Sequence, residues 1–501
     1  MTYKIYGLVQ GVGFRPFVKK IADELKLSGN VRNDGGIVTV NVYGKKEAMD
    51  EFIHRLSLLD GKSEALPGAV VERIEERKEV SEELSMESDQ KKRDLAPAGF
   101  EITESTDGEP EIRVLPPDIK TCDNCLFELF DPNNRRFRNP FISCVSCGPR
   151  YTIMEGVPYD RCNTTMKGFP LCKECEADFF AGSQGEDSDI FVSSSERSAA
   201  NVIPSKARDL NTKRRHFAQT ISCNSCGPKL IAYEYTGIPT AGESTDDYTD
   251  VSKTEDNEEA LKNTVDVLIS GGVAAVKGLG GFHIAFDAFD TAAEERVRSF
   301  KKRENKPFAV MFKDMETVKK YAYVSRKEEE LLNSPEAPIV LLKRRVSIET
   351  AALGGGEGRI GAFLPSNPIQ HLLFHDLSER ARERDIALVM TSANLRNEPI
   401  ITEDKEILSL LKEGMIDIAL SNDRKILYGL DDSVYQVTEI GFAQSEETRD
   451  IVQVIRRARG LVPKPVYLSE RELSRETFAA GGDLKAVFAF GKKNAVYLSG
   501  H

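Results

Sequence analysis

Eight of the nine cysteines in this 501-residue chain fall into four C-x2-C pairs: Cys122 and Cys125, Cys144 and Cys147, Cys172 and Cys175, Cys223 and Cys226. Each pair is a knuckle whose tight turn lets two thiolates reach one ion, so four knuckles supply two tetrahedral four-cysteine zinc sites. The surrounding text repeats. FISCVSCGPR (141–150) returns as QTISCNSCGPK (219–229), and each copy follows an earlier knuckle trailed by LFELF or EADFF. Two copies of one unit imply one zinc each, with Cys122, Cys125, Cys144 and Cys147 on one ion and Cys172, Cys175, Cys223 and Cys226 on the other. The alternative, disulfides, needs an oxidising compartment, and the opening MTYKIYGLVQ lacks the basic and apolar regions of an export signal. Structural zinc in such segments contributes on the order of 10 kcal/mol or more, enough to fold a stretch with a thin core.

The gap between knuckles is 18 residues in the first unit and 47 in the second. The excess lies in a polar Ser, Arg and Asp stretch near 183–215, read as an exposed inserted loop whose closure entropy grows only logarithmically with length. His216 stands close to the second unit, but four cysteines already complete that site. Cys162 has no partner at knuckle spacing and is expected to pack as a small apolar side chain.

A chain of this length implies three or four domains. Its net charge of -12 argues against general nucleic-acid binding, which needs a basic surface. No apolar run reaches membrane-spanning length, and a soluble, cytoplasmic, multidomain α/β protein is expected.

The first segment runs as strand, helix, strand, strand, helix, strand, the split ferredoxin-like order. A strand (YKIYGLV) enters QGVGFRPF and then a helix with Phe17, Val18, Ile21, Ala22 and Leu25 at helical spacing, Pro16 in its first turn and Gly29 at its expected end. Gly11 and Gly13 let backbone N–H groups converge at the positive end of that helix, and Arg15 adds a planar fork suited to phosphate oxygens. The strand after an Asn-Asp-Gly-Gly turn alternates Val38, Val40 and Val42. Together GLVQGVGFRPFV and GNVRNDGG resemble the acylphosphatase signature. That resemblance implies that Arg15 holds the phosphate of an acyl phosphate and Asn33 orients the attacking water. The domain is expected over 1–94, its end from about Glu72 being a highly charged, solvated extension.

The zinc region is expected over 106–233, followed by an acidic, Thr-rich linker and an α/β domain over 258–470. In that domain apolar strands such as PFAVMF, PIVLL, IALVMTSAN and SVYQV alternate with charged helices. VAAVKGLGGFHIAFDA reads as a strand, with Lys277 just before a glycine-rich turn. Lys301, Arg303 and Lys306 precede another strand, Thr391, Ser392 and Asn394 close a third, and Arg456, Arg457 and Arg459 add a second cationic cluster. Each alone reads as a solvated helix end; together they describe a pocket for a polyphosphate such as ATP. His371 and His375, four apart on a helix with no third ligand evident, read as structural histidines.

KKRENKPFAVM, LVMTSAN with EPI, and DDSV followed by RRARGLVP resemble the YrdC-like domain, in the version found in the HypF carbamoyltransferase family of nickel–iron hydrogenase maturation. The order acylphosphatase-like, double zinc, YrdC-like covers nearly the whole chain. The resemblance implies hydrolysis of carbamoyl phosphate to carbamate, then ATP- and Mg²⁺-dependent formation of carbamoyl adenylate in a pocket built from Lys277, Lys301, Arg303, Lys306, Thr391, Ser392, Asn394 and Arg457. It also implies transfer to the C-terminal cysteine thiol of the partner HypE. This chain departs from the pattern in having Gly429 where the family usually has Arg before DDSV, and RRHFAQ for RRFHAQ, which moves His216 by one position. Residues 471–501 resemble the opening hairpin of the family's carbamoyl-transfer domain, and the metal motifs of its later part do not occur here. If these residues are the full polypeptide, transfer is not expected within this chain alone. Two other readings differ in what they predict. A threonylcarbamoyl-adenylate synthase for tRNA modification needs threonine and bicarbonate and leaves Arg15 and Asn33 without a role; a zinc-ribbon nucleic-acid binder needs salt-sensitive affinity.

Overall fold

The computed structural model describes residues 1–34, 37–59, 66, 69–77, 99–103, 115–180, 214–237, 250–302, 306–345, 358–381, 384–395, 398–441, 448–468, 473–482 and 486–500. Arg303, the turn glycines Gly35 and Gly36, and most of the expected inserted loop lie outside them.

The first domain is β1 (Thr2–Leu8), α1 (Phe14–Glu24), β2 (Ser28–Asp34), β3 (Ile37–Tyr43), α2 (Lys46–Ser57) and β4 (Val70–Arg77), with β5 (Phe100–Ile102) joining later. The sheet order β4-β1-β3-β2-β5 contains the ferredoxin-like arrangement plus one added edge strand, β5, parallel to β2. Val38, Val40 and Val42 alternate into the core against Phe14, Val18, Ile21, Phe52 and Leu56. The helix ends earlier than the glycine suggests. Lys26, at φ 53, takes the left-handed turn after Leu25, and Gly29 lies within β2. A Cβ on Gly29 would fall 2.0 Å from the Asn41 carbonyl oxygen, so the glycine serves strand approach rather than helix termination.

The zinc segment carries two short helices, α3 (Asp123–Phe130) and α4 (Lys173–Phe180), each beginning within a knuckle. Beyond it come β6 (Leu230–Tyr235), β7 (Val251–Thr254), α5 (Asn257–Ile269), β8 (Ala274–Lys277), β9 (Phe282–Asp287), α6 (Thr291–Lys301) and β10 (Ala309–Phe312). Next are α7 (Met315–Tyr321), β11 (Ala322–Tyr323), α8 (Arg326–Leu332), β12 (Ile339–Arg344), β13 (Arg359–Phe363), α9 (Pro368–Arg380) and β14 (Ala387–Ser392). The domain finishes with α10 (Asp404–Lys412), β15 (Ile418–Asn422), β16 (Val434–Gly441) and β17 (Thr448–Arg456). These strands make one mixed sheet in the order β17-β16-β12-β13-β10-β14-β9-β8-β15-β6-β7, with β11 on β12.

Two features differ from the linear reading. VAAVKGLGGFHIAFDA is a hairpin, β8 and β9, folded at Gly278–Gly281. The residues following the last knuckle, and part of the expected linker, extend the sheet as β6 and β7. Successive residues along the hairpin serve opposite faces, Phe282, Ile284 and Phe286 on one and Val276 and Ala285 on the other. The second face is covered by α5, α9 and the first zinc unit, whose Cys125, Leu129, Phe141 and Ile142 share its core. The metal module is therefore packed directly onto the sheet. A last sheet, β18 (Val466–Tyr467), β21 (Ala495–Leu498), β20 (Ala489–Lys492) and β19 (Thr477–Ala479), includes the expected hairpin. Among the described residues no helix is long and apolar enough to cross a membrane.

Candidate functional site

The cysteines cluster as their spacing predicts: Cys122, Cys125, Cys144 and Cys147 in one group, Cys172, Cys175, Cys223 and Cys226 in the other. Tetrahedral zinc with sulfur at about 2.3 Å separates neighbouring sulfurs by about 3.8 Å. The Sγ···Sγ distances are 3.7 Å for Cys122–Cys144, 3.6 Å for Cys125–Cys147 and 3.7 Å for Cys172–Cys223, so the residues fit the ion.

A four-thiolate zinc carries excess negative charge, and each unit takes its compensating arginines from the other. Arg214 and Arg215, preceding the last knuckle, meet Cys125 Sγ at 2.9 and 3.8 Å and the buried Glu128 of α3. Arg135 and Arg136, from the first unit, meet Cys175 Sγ at 3.3 and 3.6 Å and Asp178 of α4. Glu128 and Asp178 occupy the same place in the two repeats, each six residues after the first cysteine of its knuckle. The exchange locks the two units together, a second shell that holds ligands and balances charge. His216 is no ligand: its Nδ1 faces the Phe179 carbonyl at 3.1 Å, and burial pushes its pKa down to about 4. Cys162 is exposed, contrary to the expectation that it packs inside. Its neighbours take the inward positions of that turn, Arg161 donating to the Gln219 and Ile221 carbonyls and Asn163 to that of Pro158.

In the first domain a cleft of roughly 370 Å³, partly open to solvent, brings together Gly11, Gly13, Arg15 and Asn33 at the N-terminus of α1. Gly13 caps the helix at φ 77. Asn33 is buried and its Oδ1 has no hydrogen-bond partner, leaving an acceptor aimed into an anion cradle. The far wall belongs to the zinc segment: Cys144, Val145, Arg150, Tyr159 and Phe217. Arg150 Nε donates to the Gly11 carbonyl at 2.7 Å, and its terminal nitrogens reach the Cys147, Pro149 and Val145 carbonyls, so the first zinc unit is fastened to the glycine loop. Arg15 donates to Asp160 at 2.9 Å and lies 5.7 Å from the Phe217 ring centroid.

In the large domain, β14, β8 and β15 run in one direction, because β9 is antiparallel to β14 and β8 while β8 and β15 are parallel. Their carboxyl ends share a sheet edge, the usual place for ligands in open α/β sheets. Lys301 is brought there with Ser392 and Asn394, its Nζ donating to their carbonyls at 2.6 and 2.8 Å, while Ser392 Oγ donates to Asn394 Oδ1. Thr391 is buried one residue earlier, and Lys306 is exposed at the approach to β10. Lys277, at the end of β8, donates instead to Asp404 and to the Asn422 carbonyl, both at 2.9 Å. Arg457 is held by the Leu461 and Lys464 carbonyls. Arg459 pairs with the buried Asp432 at 2.7 Å, and Asp432 also meets His283 Nε2 at 3.3 Å. Burial alone would raise the Asp432 carboxyl, but Arg459 and His283 outweigh it and hold it below the usual carboxylate range. Asp160 lies in no motif; Arg150 closes FISCVSCGPR, Phe217 lies in RRHFAQ, Asp432 in DDSV and Arg459 in RRARGLVP, but nothing local gives any of them its partner, and the paired RR eight residues before each final knuckle is the one repeated signal of the arginine exchange.

The comparisons follow this layout. Family models match residues 1–89 (Acylphosphatase), 121–154 with 208–233 (HypF finger), and 266–447 (Telomere recombination, the Sua5, YciO and YrdC group). An acylphosphatase of Helicobacter hepaticus is 41% identical over 90 residues, which cover 88% of that protein and 17% of this chain. The carbamoyltransferase HypF2 of Cupriavidus necator is 34% identical over 508 residues, 99% of this chain and 54% of that protein. The crystal structure of full-length HypF in the phosphate- and nucleotide-bound form superposes with a TM-score of 0.77 at 33% identity, covering all of this chain and 55% of that one. The fold and sites thus define a multidomain protein with an acylphosphatase domain, a double zinc module and a YrdC-like domain. Along its whole length the chain is similar to the HypF carbamoyltransferases, and it spans about half the length of the relatives it matches.

Proposed function

We propose that this chain hydrolyses carbamoyl phosphate and uses the released carbamate to make carbamoyl adenylate from ATP. The carrying observation is the meeting of Arg15 and the unpartnered Asn33 Oδ1 in one cleft at a helix N-terminus. Arg15 and the N–H groups near Gly13 stabilise the phosphate, and Asn33 Oδ1 accepts a hydrogen bond from the attacking water; an acyl phosphate, already activated, needs little more. Carbamate leaves as the anion with phosphate as the other product. In the large domain a carbamate oxygen attacks the α-phosphorus of ATP and pyrophosphate departs. Lys277, Lys301, Arg303, Lys306, Thr391, Ser392, Asn394 and Arg457 are the proposed nucleotide-site residues, with Lys301, Ser392 and Asn394 at its centre. Mg²⁺ is proposed to enter with the nucleotide, bound chiefly by its phosphates. One HypF of known structure was captured with both phosphate and nucleotide, which supports two such sites. The acceptor proposed is the C-terminal cysteine thiol of HypE. The setting proposed is the cytoplasm, where cysteines stay reduced for zinc.

The test is exchange of labelled pyrophosphate into ATP by the zinc-loaded chain. Exchange that depends on carbamoyl phosphate and disappears in Arg15→Ala is the expected result. Exchange indifferent to carbamoyl phosphate, or none at all, defeats the proposal.

A further inference from the structure

The polar side chains that the zinc segment contributes to the acylphosphatase cleft are engaged elsewhere. Arg150 spends all of its guanidinium nitrogens on backbone carbonyls, that of Gly11 among them. Tyr159 donates its hydroxyl to the Pro149 carbonyl at 3.2 Å. Gln219 uses both ends of its amide, accepting from Arg161 N at 2.7 Å and donating to the Phe217 carbonyl at 2.9 Å. Cys144 belongs to the first cysteine cluster. The remaining polar side chains of the lining come from the first domain: Gln10, Arg15 and Asn33.

Gln10 stands between Val9, which packs in the domain core, and Gly11, at φ 68. It is 3% exposed, and its Nε2 has no hydrogen-bond partner among the described residues. A buried amide donor left idle is costly unless a ligand completes it. The same cleft holds an idle acceptor, Asn33 Oδ1. One idle donor and one idle acceptor suit a substrate and a water together rather than a bare phosphate ion. Arg15 and the N–H groups at the start of α1 supply donors for the phosphate oxygens, and Asn33 accepts from the water. The acyl end of the substrate is left with Gln10.

We propose that Gln10 is a further catalytic residue, whose Nε2 donates a hydrogen bond to the acyl oxygen that leaves phosphorus. As the water oxygen bonds to phosphorus, the P–O bond to the acyl group breaks and its electron pair passes to the departing oxygen. Both protons of the water stay with the phosphate, so the carbamoyl phosphate dianion and water give carbamate and dihydrogen phosphate. Negative charge grows on the leaving oxygen in the transition state, and a fixed, largely buried donor stabilises it there more than in the ground state. A neutral amide does so without the full charge that would hold the product back. Carbamoyl as the acyl group rests on the function proposed above; the role of Gln10 requires only that the cleft hydrolyse an acyl phosphate.

Carbamoyl phosphate and acetyl phosphate are the probes, each hydrolysed by the zinc-loaded chain while inorganic phosphate is titrated as a competitive inhibitor. Gln10→Met keeps the length of the side chain and removes the donor. Its kcat should fall about 10- to 100-fold on whichever acyl phosphate the wild type hydrolyses, through loss of a hydrogen bond to a charged atom. The inhibition constant of inorganic phosphate should change less than about twofold, because that ion has no acyl oxygen. Gln10→Asn, which keeps a donor one methylene short, should lose less kcat with phosphate inhibition again unchanged, and it serves if the methionine variant does not melt cooperatively. An unchanged kcat overturns the proposal. So does a fall in kcat matched by an equal weakening of phosphate inhibition, which would make Gln10 part of the phosphate cradle or of its scaffold. Hydrolysis of acetyl phosphate but not of carbamoyl phosphate defeats only the proposed function, and the Gln10 comparison is then read on acetyl phosphate. A wild type inert towards both defeats the two together.

Discussion

Arg15, in the anion cleft of the first domain, gives a terminal nitrogen to Asp160 of the zinc segment at 2.9 Å, with both side chains largely buried. A guanidinium has five donors, and a phosphate engages it best through a two-bond fork. Asp160 occupies one donor and repels an arriving anion, so it competes with the ligand of its own partner. Asp160→Asn removes the charge and keeps the shape. Inorganic phosphate, assayed as a competitive inhibitor of carbamoyl phosphate hydrolysis, should bind about 3- to 10-fold more tightly to the variant, the worth of about 1 kcal/mol. Weaker inhibition would instead make Asp160 a group that aims Arg15.

Removing one zinc should disable a site that contains no metal. Cys147 is fully buried in the first cluster, and the same turn carries Val145 and Arg150 into the cleft wall. Cys147→Ser should lower zinc content from two per chain to one. Carbamoyl phosphate hydrolysis should fall on the order of 100-fold, the usual effect of a catalytic wall displaced by about 1 Å. Unchanged hydrolysis in a chain shown to have lost one zinc would mean that the first domain works unaided.

The pairing of the eight cysteines was legible because knuckle spacing and the repeated SCxSCGP text are local facts, and the ferredoxin-like order was legible because strand and helix periods differ. What stayed hidden depends on contacts between distant segments. Nothing local marks Asp160 as the partner of Arg15, 145 residues away. Leu230–Tyr235 follows so closely on a knuckle that it reads as zinc segment, yet its carbonyls and N–H groups belong to a ladder with β15. Gly29 misled for a related reason: a glycine after a helix usually ends it, whereas here the Asn41 carbonyl leaves no room for a side chain. Among the proposed nucleotide-site residues, sequence grouped Lys277 with Lys301, while the fold sends the two amines to different carbonyls.

The exchanged arginines make Glu128 a keystone of the zinc module. It is 5% exposed and receives both Arg214 and Arg215. Glu128→Gln leaves two buried guanidinium groups short of one charge and should cost about 3–5 kcal/mol in urea unfolding. Asp178→Asn, at a more open position, should cost less. The check is zinc release to a chromogenic chelator, which Glu128→Gln should speed at the first cluster, because Arg214 is then freed from its place against Cys125.

His371 should set part of the chain's acid sensitivity. Burial, with Lys120 nearby, lowers its pKa from 6.5 to about 4 despite a hydrogen bond to the Pro365 carbonyl. The folded state therefore keeps the ring neutral where the unfolded state protonates it. Between pH 6.5 and about 4 the unfolded chain binds more protons, so stability falls as pH falls through that window and is unaffected by this group above it. The full difference corresponds to roughly 3 kcal/mol, a ceiling because the ring edge keeps some contact with solvent. His371→Gln removes the titration without removing polarity. Comparing urea midpoints at pH 7 and pH 5, the wild type should lose more stability than the variant. Zinc loss on acidification is common to both chains, so the difference between them isolates the imidazole. Equal losses would place the His371 proton uptake in the folded state as well, and the ring would then be more solvated than its packing on α9 implies.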